Sequence, residues 1–161
     1  MRKVAFAPIV DSASKILLLG TMPGEESLKK LQYYGHKQNQ FWKILFTLYN
    51  EPLASDYEKQ VAFLYEKRIA LWDVLQSCEG KGSLDSNIKN EIPNDFKSFF
   101  AEYPQIKYVF FTSRKAESFY KKYVGFELDK IFQALPSPSP AYAAMKFDDK
   151  VDRWKLLLLD A

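Results

Sequence analysis

The chain is nearly without the residues that build disulfides or thiolate and imidazole metal centres: it has one cysteine, Cys78, and one histidine, His36. A lone thiol supports no internal disulfide framework, no cysteine-ligated zinc site and no iron–sulfur cluster. That points to a cytoplasmic protein, and neither a metal nor another cofactor is expected. Long apolar runs are also missing. No stretch approaches the roughly 20 apolar residues that a membrane span requires, and the run after Arg2 and Lys3 is short and broken by Pro8, unlike a signal peptide. Nor is there an excess of one charge: 23 Lys+Arg against 20 Asp+Glu leave a net +3 and a pI near 8.8. Such a balance suits an anionic partner and suits a solvated lysine-rich surface equally well. What the chain does have is a 47% hydrophobic and 16% aromatic content, which describes a folded chain and not a disordered one. Its length fits one domain, residues 1–161, acting as a monomer, and no repeat, linker or low-complexity tract divides it.

Apolar spacing alternates between two periods along the chain. Short continuous runs at 15–19, 68–74, 106–112 and 130–135 read as strands buried on both faces. Between them, apolar residues recur at helical spacing over 41–49, 57–66, 93–103, 114–123 and 146–159, with Thr112 or Ser113 as a candidate cap for the fourth of these. The reading is an α/β fold, a three-layer α/β/α sandwich with a central, mostly parallel four-stranded sheet.

The rare and chemically pointed residues concentrate between Gly20 and Trp42, GTMPGEESLKKLQYYGHKQNQFW. This segment leaves the first predicted strand at its carboxyl end, where open α/β sheets bind ligands. Pro23-Gly24 makes a tight turn, His36 follows two tyrosines, and Asn39 stands just ahead of Phe41-Trp42. Small, aromatic and amide residues suit a flat ligand with polar edges, such as a nucleobase.

Gly20-Thr21-Met22-Pro23-Gly24, Ser27-Leu28, Tyr33-Tyr34, His36, Asn39 and Phe41-Trp42 together resemble the first motif of the uracil-DNA glycosylase superfamily, most closely its hypoxanthine (deoxyinosine) DNA glycosylase branch. Thr21 stands in place of that motif's serine and Lys37 in place of its proline. Two further blocks keep the family's order: 71–75 with 82–85, and a late Pro-Ser loop, Leu135-Pro136-Ser137-Pro138-Ser139-Pro140-Ala141. The resemblance implies a monofunctional hydrolase that flips a deaminated base out of DNA and cuts its N-glycosidic bond. Hypoxanthine is the first expectation and mismatched uracil the second. A non-catalytic binder of damaged DNA or of a nucleobase is the alternative of another class.

The same resemblance assigns roles. Gly20, Thr21, Met22, Pro23 and Gly24 would line the base pocket, with Tyr34 stacking on the base unless it only packs in the core. Met22 occupies the position that usually carries an acidic or amide catalytic group, and a thioether can neither orient nor deprotonate water. The catalytic role passes to Asn39, whose side chain could equally cap the helix starting near Phe41. His36 would touch base or phosphate, or tie down its loop. Trp72 and Asp73 end the second strand at the same edge, Asp73 being the nearest carboxylate, while Glu25 and Glu26 read as solvated. Ser137 replaces the histidine or asparagine with which several relatives contact the base anion or the sugar, so its hydroxyl and that of Ser139 are expected at phosphates, and Ala141 falls where relatives carry a wedge, a duty Tyr142 could assume. Lys37 and Lys146 are the expected phosphate cations. A lyase would need an activated amine, and Lys29, Lys30 and Lys37 read as exposed.

Overall fold

The computed structural model describes residues 2–81, 85–126, 129–140 and 142–158. Its strands are β1 (Arg2–Val4), β2 (Ile16–Gly20), β3 (Ile69–Asp73), β4 (Leu75–Glu79), β5 (Lys89–Pro93), β6 (Tyr108–Phe111) and β7 (Ile131–Ala134). Its α-helices are α1 (Glu25–Lys30), α2 (Phe41–Leu48), α3 (Tyr57–Glu66), α4 (Phe96–Glu102), α5 (Arg114–Tyr123) and α6 (Phe147–Trp154).

Side-chain alternation in β2 sets the layering. Every residue of this strand is buried, which a strand allows only when both sheet faces are covered. Ile16 and Leu18 enter one core with Phe41, Ile44, Leu45, Leu64 and Trp154, from α2, α3 and α6. Leu17 and Leu19 enter a second core with Phe96, Phe99, Ala116 and Tyr120, from α4 and α5. Helices therefore cover both faces of a four-stranded sheet of order β3-β2-β6-β7, in which every pairing is parallel. The three-layer architecture expected from the sequence is the one observed, and all four predicted strands are present, but β7 is not buried on both faces: it is the edge strand, with Ile131 57% exposed.

The periodicity missed a second sheet, β1-β4-β5, antiparallel throughout. The chain passes from β3 into β4 across a single residue, Val74, so one apolar stretch serves two sheets. β5 reads KNEIP, too polar and too close to a proline to announce a strand. Helix α1 lies inside the first motif, where six residues are too few to display a period. Ser113 is the cap of α5, its side chain accepting from the Ala116 N–H. The last helix is shorter than its apolar pattern, ending in a 3-10 turn at Lys155–Leu158. Residues 82–84 of the middle block, Ala141 and Leu159 lie outside the described residues.

Candidate active site

All four parallel strands end at one crevice of about 760 Å³, lined by Gly20 of β2, Asp73 of β3, Thr112 beyond β6 and Ala134 of β7. The first motif supplies Thr21, Met22, Pro23, Gly24, Tyr34, His36 and Asn39 to the same lining, and the late loop supplies Pro136, Ser137, Pro138, Ser139, Pro140 and Tyr142. Segments more than a hundred residues apart thus meet at the carboxyl edge of the sheet, as the strand assignments require. Trp72 is the exception among the expected residues. Its indole points into the α4 side, 4.7 Å from the Phe99 ring and 5.0 Å from Phe96, and its Nε1–H donates to the Phe6 carbonyl at 3.2 Å. Residues alternate faces along a strand, so Trp72 serves the core while its neighbour Asp73 ends at the crevice.

The floor is made of oxygens. Gly20 and Asp73 are directly paired in register. A Cβ on Gly20 would come within 2.8 Å of Asp73 Oδ1 and 3.1 Å of the Tyr34 hydroxyl, so glycine here admits a buried carboxylate and a phenol to the strand end. The Tyr34 hydroxyl lies 2.9 Å from Thr112 Oγ1, and Thr21 Oγ1 lies 3.0 Å from Ser113 Oγ. Hydroxyls donate or accept according to their partner, and this group of four spans the ends of β2 and β6.

Tyr34 is held as a rigid plate. Its ring stacks on Phe41 at 3.9 Å and 6°, its hydroxyl is engaged, and its backbone sits at φ 53, a left-handed conformation uncommon for a bulky residue. Phe41 occupies one ring face without lining the crevice, which leaves the other side of the plate toward the ligand space. Tyr33 also borders the crevice but is anchored in the core, 4% exposed, with its hydroxyl donating to the Ala7 carbonyl at 2.8 Å. Burial, reinforced by the nearby Asp73 charge, raises its phenol far above the ordinary range. The turn presenting both tyrosines is tied by the Gly35 N–H donating to Ser27 Oγ at 2.9 Å and by Lys30 Nζ donating to the Gly35 carbonyl at 2.7 Å. The Ser27 and Gly35 of the motif thus shape the loop.

Asn39 stands just before Gln40, the N-cap of α2, and satisfies the first N–H of the helix: its Oδ1 accepts from the Phe41 N–H at 2.9 Å. Because the partner is a donor, the atom accepting must be oxygen, and the NH₂ group is the end left for a ligand. His36 is exposed, and its Nδ1 accepts from the Gln38 N–H at 3.1 Å. Neutral His36 therefore carries its proton on Nε2 and combines loop support with a donor at the crevice wall. In the late loop, Ser137 Oγ accepts from the Ser139 N–H at 3.1 Å. Tyr142 is 38% exposed at the rim.

The lining also contains Glu26, Arg114, Lys115 and Arg153. Glu26 was read as solvated, yet as part of α1 it faces the crevice, 3.8 Å from Lys29 Nζ. Lys37 and Lys146 do not line the crevice, whereas Arg114 and Arg153 do and form no ion pair among the described residues. Sequence alone could not show which turn of α5 or α6 faces the site. Lys150 was missed for the opposite reason, since a lysine in an amphipathic helix reads as solvated but this one is 2% exposed. Burial holds its amine below the usual lysine value. No helix among the described residues is long and apolar enough to cross a membrane.

Comparison with known proteins agrees with this geometry. Over 142 residues, 88% of this chain and 89% of the relative, the chain is 36% identical to a protein of Methanosarcina acetivorans named hypoxanthine DNA glycosylase. A protein of Methanosarcina barkeri with the same name is 38% identical over 117 residues, 72% of this chain and 74% of the relative. The solution NMR structure of a Methanosarcina acetivorans protein, assigned provisionally as a uracil DNA glycosylase, superposes with a TM-score of 0.81 at 31% identity. That superposition covers 98% of this chain and 99% of the other. The model of the uracil DNA glycosylase superfamily matches residues 7–160, and with the motif residues gathered at one sheet edge, the chain belongs to that superfamily.

Proposed function

We propose that the protein is a monofunctional DNA glycosylase that hydrolyses the N-glycosidic bond of a deaminated base turned out of DNA, hypoxanthine foremost, leaving an abasic site. One observation carries the reading. The crevice sets an aromatic plate, Tyr34, beside a floor of hydroxyls and an amide whose N–H groups meet no acceptor among the described residues, and a flipped nucleobase needs both a stacking face and partners for its edge. The names of the two Methanosarcina relatives support the choice of base.

In the reaction, a water oxygen bonds to the anomeric carbon, the carbon–nitrogen bond breaks, and its electron pair leaves with the base, which takes up a proton. The sugar gains positive charge as the base gains negative charge. Donors must therefore face the base and negative charge must lie near the sugar. Asn39 supplies N–H donors and its amide cannot act as a strong base, so the rate comes from stabilising the departing base and from charges already in place. The buried carboxylate of Asp73 and the carboxylate of Glu26 supply the negative field. Hydrolysis is favoured over a lyase path: Lys115 is the lysine in the lining, and its ammonium lies 4.8 Å from the Phe119 ring centroid. Arg114, Arg153 and the hydroxyls of Ser137 and Ser139 form the phosphate footprint, with Tyr142 as the wedge into the vacated stack.

Turnover on duplexes bearing a single hypoxanthine, uracil or xanthine tests this. The expected result is alkali-labile sites formed fastest at hypoxanthine. A protein that shifts such duplexes without generating those sites is a binder, and that result overturns the proposal.

A further inference from the structure

Lys150 is buried without a carboxylate partner among the described residues. Removing an ammonium from water is costly, and a lysine so placed usually has an ion-pair partner or loses its charge. What it has is Gln40 Oε1, which accepts from its Nζ at 3.0 Å, and the ring of Tyr142, whose centroid lies 5.3 Å away. Gln40 follows Asn39 in sequence, and its backbone N–H donates to the Pro138 carbonyl at 2.9 Å. Trp154, one turn beyond Lys150 on α6, donates its Nε1–H to the Pro136 carbonyl at 2.9 Å. A single buried amine thus meets the first-motif corner and the rim aromatic, at the place where both contact the Pro-Ser loop.

We propose that Lys150 is a positioning residue of the glycosylase site: its amine holds the Asn39–Gln40 corner and Tyr142 in one fixed relation, so that the Asn39 amide and the wedge meet the lesion together. The inference rests on the function proposed above. Lys150 does not line the crevice, so it acts through Gln40 and Tyr142 and not on the substrate. A methionine would fill the same volume without the desolvation cost. Replacing a buried charge by an apolar residue of similar size is often neutral or stabilising, so a lysine that served packing alone would be improved by the change.

The test compares Lys150→Met, Gln40→Leu and the double variant. Three quantities are measured: single-turnover release of hypoxanthine at saturating enzyme, melting temperature, and hydrogen exchange at the Gln40 amide in the free protein. Lys150→Met is expected to keep or raise the melting temperature. Its release rate should fall by about 10-fold or more, toward the roughly 100-fold that a misplacement of about 1 Å can cost, and Gln40 exchange should rise while exchange in β2 stays unchanged. The double variant should be no slower than the slower single variant, because both changes break the same contact. Release at the parent rate by folded Lys150→Met, unchanged Gln40 exchange, or multiplicative losses in the double variant would each overturn the proposal. If the parent releases no base from any lesion duplex, the glycosylase reading fails, and exchange at Gln40 still decides whether Lys150 holds the corner.

Discussion

At the scale of single residues, Asn39 has two ends with two jobs, and they can be separated. Asn39→Ala removes the cap acceptor for the Phe41 N–H, costing about 1 kcal/mol of stability. It also removes the amide donors, which should slow hypoxanthine release about 100-fold, the usual loss for one preorganised donor. Asn39→Asp keeps an oxygen for the cap and loses the NH₂, so its stability should match the parent while its release rate follows that of alanine. Denaturant midpoints and single-turnover rates measured on both variants check this, and parent-like release by Asn39→Asp would remove the amide from the mechanism. Gly20 is a position of close approach: the alanine Cβ, 2.8 Å from Asp73 Oδ1, should cost about 1–3 kcal/mol as overpacking. Urea unfolding measures it, and activity should fall with it because Tyr34 and Asp73 are the groups displaced.

At the scale of elements, α5 connects the site to the rest of the molecule. Its cap, Ser113, accepts from the Ala116 N–H at 3.0 Å and lies 3.0 Å from Thr21 Oγ1, so Ser113→Ala should lower stability by about 1 kcal/mol and loosen the crevice floor at the same time. Its far end is tied to the antiparallel sheet, where the Tyr123 hydroxyl donates to Glu91 Oε2 at 2.7 Å. That hydrogen bond, helped by Lys122, holds the Glu91 carboxyl below its usual value. A carboxyl lowered in the folded state stabilises the protein above its unfolded value, and the contribution is lost as pH falls through the folded one. Tyr123→Phe should therefore cost at most about 1 kcal/mol near neutrality, given the solvent around the pair. Unfolding curves of parent and variant should converge below the ordinary carboxylate range. A difference that persists there would mean that the tyrosine acts through packing alone.

At the scale of the whole molecule, a net charge of +3 is too small to hold a polyanion by its overall field. Affinity for DNA must come from cations gathered at the crevice, and Arg114 and Arg153 belong to separate helices that both reach it. Each phosphate contact contributes about 0.9 to the slope of log affinity against log salt. Arg114→Gln and Arg153→Gln should each reduce the slope by about that amount on undamaged and lesion duplexes alike. Tyr142→Ala should leave the slope unchanged and weaken lesion capture alone, since a wedge acts on stacking. A salt series on the four proteins separates these effects, and an unchanged slope in both arginine variants would move the footprint elsewhere.

Much of this molecule is local in origin and therefore legible along the chain. A strand covered on both faces has to be continuously apolar, so the runs at 15–19, 68–74 and 106–112 announced the buried strands of the parallel sheet, while the run at 130–135 marked its exposed edge strand. The dense motif from Gly20 to Trp42 marked where a ligand would sit. Orientation and partnership are different in kind, because they depend on which surfaces meet once the layers close. The antiparallel sheet draws its pairing from β1 and β5, polar segments joined to the rest by hydrogen bonds and not by apolar period. Trp72 and Asp73 are neighbours in sequence and part company because a strand alternates its faces. Arg114 and Arg153 displaced Lys37 and Lys146 as crevice cations because the packing of α5 and α6 sets which turn faces the opening. Lys150 carries a charge that its sequence neighbours give no reason to bury. Only the closing of α6 over α2 and the Pro-Ser loop encloses it, and only there does an amide oxygen stand where water would have been.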